Sequence, residues 1–254
     1  MKTSVWKAPL CYQLRGTIFG AAVMLLIVTL IPIAIAVLVS VLQSEGEVRY
    51  FGYEFSVFIY CFIMGCTCWR DAFHLGLAGG VPRKVLYGSA LLSMTIVCAL
   101  LAPATLLGIA LASLAPANHI VLLFALFQGN ERLLTEPFSD MGALLQGMPF
   151  QFSVSLFLAF LGCFIGCVFY VISKKARIAM AILIPALAIF VPAGASVLLP
   201  EYVIHQVFHV LCYFFGSMWR TTGLCFVLAL VFAVLGWIPV HNSALMRNPQ
   251  PSGS

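Results

Sequence analysis

Long uninterrupted apolar runs dominate the chain. Those at 17–42, 50–69, 86–114, 148 to just before Lys174, 178–199 and 222–240 each come close to the length of a membrane-crossing helix, which takes about 20 predominantly apolar residues. Charged residues gather in the short stretches between them. The pattern predicts an all-α integral membrane protein with six transmembrane helices. A further uncharged run, 202–219, is just long enough to cross. Two histidines, a glutamine and a serine make it the most polar of the runs, and only Pro200 and Glu201 divide it from the fifth. It is read as a re-entrant or interfacial element on the outer face before the last helix, the alternative being a seventh crossing. The first run follows Lys2, Lys7 and Arg15, as in a signal peptide, but it is too long for one. Its small-x-small site, Ala34 to Ala36, lies mid-run, so it reads as a retained helix.

Composition agrees with this. The chain has 254 residues, 63% of them hydrophobic and 8% charged, whereas soluble domains carry roughly 25% charged residues. An ordinary soluble enzyme, a disordered chain and a fibrous protein are excluded. Residues 1–248 read as a single transmembrane domain and 249–254 as a disordered tail. The nine cysteines are scattered, nearly all within apolar runs, and read as small buried hydrophobes rather than a redox framework. The net charge of +5 does not imply nucleic acid, because the basic residues form no single patch.

Their placement reads topology instead. With the N-terminus in the cytoplasm, Lys2, Lys7, Arg15, Arg70, Arg83, Lys84, Lys174, Lys175, Arg177 and Arg247 lie inside, and Arg49, Arg132 and Arg220 outside. Positive charge marks the inner side, so both termini are expected to be cytoplasmic. A seventh crossing would exchange Arg220 with Arg247 and leave the balance unchanged, so charge does not decide between six and seven. The run 119–128 is too short to span. With Glu131, Arg132, Glu136 and Asp140 it forms a substantial outer segment.

Catalytic signatures are missing: no phosphate-binding G-x-x-x-x-G-K-[ST], no G-x-S-x-G and no H-E-x-x-H. Charges within spans mark ion and proton pathways, and here only Glu54 falls in a span, near an edge where water is expected to reach it. Glu201, His205, His209 and Cys212 lie at i, i+4, i+8 and i+11. All are residue types that ligate zinc, but the stripe reads first as the wet face of an interfacial helix.

The segment 70–84 is the most informative between the spans. Phe73, Leu75 and Leu77 are apolar yet sit among Arg70, Asp71, His74, Arg83 and Lys84. A short helix over about 70–77 is expected to stop at Gly79-Gly80, and Val81-Pro82 to hold an extended residue before the next helix. Such a helix fits a groove on a soluble partner. Near the N-terminus, Trp6, Leu10 and Leu14 are spaced i, i+4, i+8, with Lys7 and Arg15 off the stripe, as in a helix lying at a membrane surface.

The stretch Leu77-Ala78-Gly79-Gly80-Val81-Pro82-Arg83-Lys84 resembles the N-G-[VI]-S-R-K element of ABC-2-type permease subunits of bacterial ABC exporters, with Gly79-Gly80 for Asn-Gly and Pro82 for Ser. Length, six spans and the missing ATPase motif extend the likeness over most of the chain. The resemblance implies that 70–77 is a coupling helix docking onto a separate ATP-binding subunit, so ATP and Mg belong to that partner and this chain holds no cofactor. It implies that Trp6, Lys7, Leu10, Leu14 and Arg15 form an elbow helix. It further implies that two permease copies, identical or paralogous, face each other in a bacterial cytoplasmic membrane, cargo crossing between their second and fifth helices. The large outer segment between helices three and four departs from the family pattern. Few intramembrane charges point to a hydrophobic drug, a lipid or an antimicrobial peptide. The rival readings are a membrane-embedded enzyme using Glu201, His205 and His209, and a small-ligand capture or sensor subunit. Small residues at helix-contact spacing (Gly162 and Gly166, Cys163 and Cys167, Ala104, Gly108 and Ala112) serve packing within the chain or a homodimer seam.

Overall fold

The computed structural model describes residues 4–41, 48–51, 53–113, 118–121, 141–172, 209, 213–214 and 216–242. Among the described residues five helices form the body of the structure: α1 (Ser4–Val41), α2 (Tyr53–Ala78), α3 (Arg83–Ser113), α4 (Met141–Val171) and α5 (Met218–Asn242). Four of them, all but α2, contain stretches long and apolar enough to cross a membrane, and α2 carries a shorter apolar stretch over Tyr53–Cys68. Two short strands, β1 (Val48–Phe51) and β2 (Asn118–Val121), pair in parallel with Val48 opposite Asn118. The predicted fifth span and most of the 202–219 run lie outside the described residues, as does the tail.

Several elements differ in extent from the sequence pattern. The elbow and the first span are one uninterrupted helix, α1, which accommodates both Pro9 and Pro32. In the same way the stretch 70–77 continues α2 without a break. Apolar pattern marks where a helix meets lipid, not where its hydrogen-bond ladder stops. Tyr50 belongs to β1 rather than to the second helix, which begins at Tyr53. The last helix starts at Met218 instead of 222.

Glu54 corrects a second expectation: it is buried, with only 4% of its surface exposed, and it engages a partner. It lies in the first turn of α2, the end of a helix where negative charge is favoured.

Contacts give the helix directions. Trp6 of α1 packs at Gly88 of α3, and Thr29 and Tyr53 meet Gly108, so α1 and α3 run the same way. Gly162 of α4 lies on the Phe62 and Cys66 backbone, and Gly166 on Cys66, so α2 and α4 are parallel to each other. The Tyr87 hydroxyl, in the second turn of α3, donates to the carbonyl of Ala233, and its ring lies 5.5 Å from that of Trp237. The last turns of α5 are therefore level with the first turns of α3. One end of the bundle, which we call the basic end, gathers Lys7, Arg15, Arg70, Arg83 and Lys84. α4 and α5 both finish there.

The core runs through the middle of this bundle. Val57, Cys61, Met94, Cys98, Ala159 and Ala229 are fully buried. The exposed apolar side chains lie outside it, among them Phe19, Leu26 and Leu30 of α1, Ile59 and Ile63 of α2 and Val227 and Val234 of α5. In water such a surface would drive aggregation. Against lipid tails it is the favoured exterior.

Candidate functional site

The corner between α2 and α3 is closed by backbone chemistry. Gly80 adopts φ 72°, a left-handed conformation that costs a residue with a side chain but not glycine. With Gly80 in that position, the Val81 N–H donates to the Gly76 carbonyl at 3.0 Å. This is the six-to-one bond of a Schellman cap, which satisfies an otherwise unpaired carbonyl at the helix end. Pro82 then opens α3: its carbonyl accepts from the N–H groups of Val85 at 2.9 Å and Leu86 at 3.1 Å. The predicted stop at Gly79-Gly80 is thus where α2 ends.

Side chains clamp the corner. Leu86, 1% exposed, folds over Gly76 so closely that an added Cβ there would lie 2.2 Å from a leucine methyl. The Trp6 indole covers Gly88 in the same manner, an added Cβ meeting it at 2.7 Å. Of the predicted elbow residues, Trp6 therefore braces α3, and Leu10 and Leu14 are half-buried, Leu14 against the core. Lys7 and Arg15 stay exposed. Arg70, Asp71, Phe73, His74, Leu75 and Leu77 all ride on the last turns of α2, next to the corner that carries Arg83 and Lys84. Lys84 is exposed.

From the corner α2 leads directly into its seam with α4. An added Cβ on Gly65 would stand 2.1 Å from the Ala159 carbonyl oxygen and 2.8 Å from the Cys163 nitrogen, and one on Gly162 would stand 2.3 Å from the Phe62 carbonyl oxygen. The two backbones touch, which only glycine permits. Of the small residues noted in the sequence, Gly108, Gly162, Gly166, Cys163 and Cys167 are used for packing within this chain: Gly108 seats the Tyr53 hydroxyl, and both cysteines are buried. The eight described cysteines are free thiols.

Sequence reasoning missed the polar groups that organise the interior. Tyr53, 1% exposed, pairs its hydroxyl with that of Thr29 at 2.8 Å. The Tyr60 hydroxyl donates to the Thr17 carbonyl at 2.9 Å. On α4, Gln151 and Ser155 are buried with side-chain atoms that find no hydrogen-bond partner, as is the amide oxygen of Gln13 on α1. Tyrosine, glutamine and serine within apolar runs were the available signal, and only tertiary packing says which are paired.

At the opposite end Arg220 stacks on Tyr213, its guanidinium 4.2 Å from the ring centre, and donates to the Tyr213 carbonyl at 2.9 Å. The metal candidates Glu201, His205 and Cys212 lie outside the described residues. His209 is exposed. Among the described residues no three His, Cys, Asp or Glu side chains come together in an arrangement able to hold a metal ion. The chain matches no family model, and no curated protein or solved structure is significantly similar to it.

Proposed function

We propose that this chain is the permease subunit of an ATP-driven exporter, moved by a separate ATPase that docks at the α2–α3 corner. The observation that carries the reading is mechanical. α2 runs as one helix from the corner into a backbone-to-backbone seam with α4, and the corner is capped and clamped rather than loose. A push on the corner is therefore delivered to α2 and α4 together, because overlapping backbones cannot slide apart cheaply. The apolar residues Phe73, Leu75 and Leu77 beside Arg70, Arg83 and Lys84 give a soluble partner both an anchor and a charge pattern.

Directions of the helices favour six crossings over seven. The chain leaves α4 at the basic end and enters α5 from the other, which calls for an odd number of crossings between them. The basic end is the cytoplasmic one under the positive-inside rule, and both termini belong there. Two copies facing each other, with an ATPase beneath each, would alternate access across their shared seam. With so few charges in the described spans, the cargo is a hydrophobic or amphiphilic molecule.

The experiment is co-purification from the native membrane, in which an ATPase is expected to follow the chain in equal ratio. Phe73→Asp with Leu75→Asp should cut its affinity by about 30-fold or more, the scale on which buried anchors at an interface act, while the permease still elutes as a single species. Unchanged ATPase association in that variant removes the docking assignment. Catalysis by the purified chain without nucleotide would favour an embedded enzyme instead.

A further inference from the structure

A cleft of about 790 Å³ opens between the first half of α1 and the middle of α2, toward the basic end. Tyr60, Ile63 and Met64 of α2 line one side of it. Arg15 and Tyr12 of α1, both exposed, stand at its mouth. Arg15 has no acidic partner among the described residues. Gln13 also lines the cleft; it is 7% exposed, and its amide oxygen has no hydrogen-bond partner. Buried amides are almost always paired, since leaving one unpaired carries the full desolvation penalty. From here exposed apolar side chains of α1, including Phe19 and Leu26, continue toward the other end of the bundle.

We infer that this cleft holds an anionic phospholipid. The phosphate sits against Arg15, whose planar fork of donors matches phosphate oxygens. One acyl chain lies along Tyr60, Ile63 and Met64. Each part of the ligand answers a feature of the cleft: permanent positive charge at the mouth and an apolar side formed by α2. The assignment stands apart from ATPase docking, because it requires only that the chain be embedded in lipid.

Photolabelling tests it. The purified full chain is placed in phosphatidylcholine vesicles containing a phosphatidylglycerol with a photoreactive acyl chain, and labelled peptides are mapped. Labels should concentrate on 12–19 and 60–68, and a phosphatidylcholine probe should label those segments several-fold less. Arg15→Gln should lower phosphatidylglycerol labelling about fivefold, the typical weight of one basic residue at an anionic membrane surface, and leave phosphatidylcholine labelling unchanged. Gly16 lines the cleft and has open space where a Cβ would be, so Gly16→Leu should fill it, abolish labelling there and leave the fold intact. Equal labelling by the two lipids, labelling that survives Gly16→Leu, labels spread over every lipid-facing helix, or displacement by soluble glycerol phosphate would each overturn the assignment.

Discussion

The two faces of α2 follow opposite packing rules. Toward α4 it presents Gly65 and the backbone around Phe62 and Cys66, and the helices meet main chain to main chain. Toward α1 it presents Tyr60, Ile63 and Met64, and an open cleft separates the helices, bridged by the Tyr60–Thr17 hydrogen bond. In lipid, apolar surface gains little by leaving one greasy environment for another, so close approach depends on small residues and on satisfied polar groups. Glycines give the first face rigidity. Bulky and polar side chains give the second face space. A helix rigid on one side and loosely held on the other suits a part that moves with one neighbour and past another.

Equivalent substitutions on each face should break the comparison if it is wrong. Gly65→Ala drives a methyl to within 2.1 Å of the Ala159 carbonyl and should destabilise the protein by about 3 kcal/mol, the upper range for overpacking, read as a large fall in thermal unfolding temperature in detergent. Retention of wild-type stability would mean the seam is not closed as described.

Gly108→Ala is next in size. The added methyl would fall 1.8 Å from the Tyr53 hydroxyl oxygen, so a loss of about 2 kcal/mol is expected. Tyr53→Phe alone should cost about 0.6 kcal/mol, an average membrane-helix hydrogen bond. Combined with Gly108→Ala it should restore part of the loss, because the offending oxygen is gone. A double-mutant cycle with no coupling would refute that contact.

Gly80→Ala meets no atoms and should cost about 1 kcal/mol through its left-handed backbone alone. If the proposed docking of an ATPase at this corner holds, a frayed corner should weaken ATPase stimulation more than it weakens folding. The smallest change belongs to the loose face. Gly16→Ala, with nothing within 4 Å, should be neutral or stabilise by up to about 1 kcal/mol through helix propensity. The same glycine-to-alanine change would thus have opposite signs on the two sides of α2.

Much of the architecture was legible in the residue pattern. Apolar runs of spanning length identified the membrane body, and Gly79-Gly80 before Val81-Pro82 marked the end of α2. Both signals are local: burial in lipid needs only a run of apolar side chains, and a left-handed cap needs only a glycine. The candidate coupling segment was legible as composition, with apolar residues set among charges, but its continuity with α2 was not. Helix interruption depends on whether each carbonyl keeps its partner four residues on, and no polar residue in 70–77 reports that. Glu54 shows the same gap, since nearness to a span's edge says nothing about what covers the side chain.

The chain's own sequence therefore determined that it lives in a membrane, which end of the bundle bears the positive charge, and where one helix gives way to the next. Tertiary structure alone decided that Gly65 and Gly162 are spent on the α2–α4 seam, that α5 finishes beside the start of α3, and that a cleft with an unpaired amide separates α1 from α2. These depend on which faces meet, and in a uniformly apolar run every face of a helix carries nearly the same hydrophobic signal. Only the fit of particular shapes and hydrogen bonds breaks that tie.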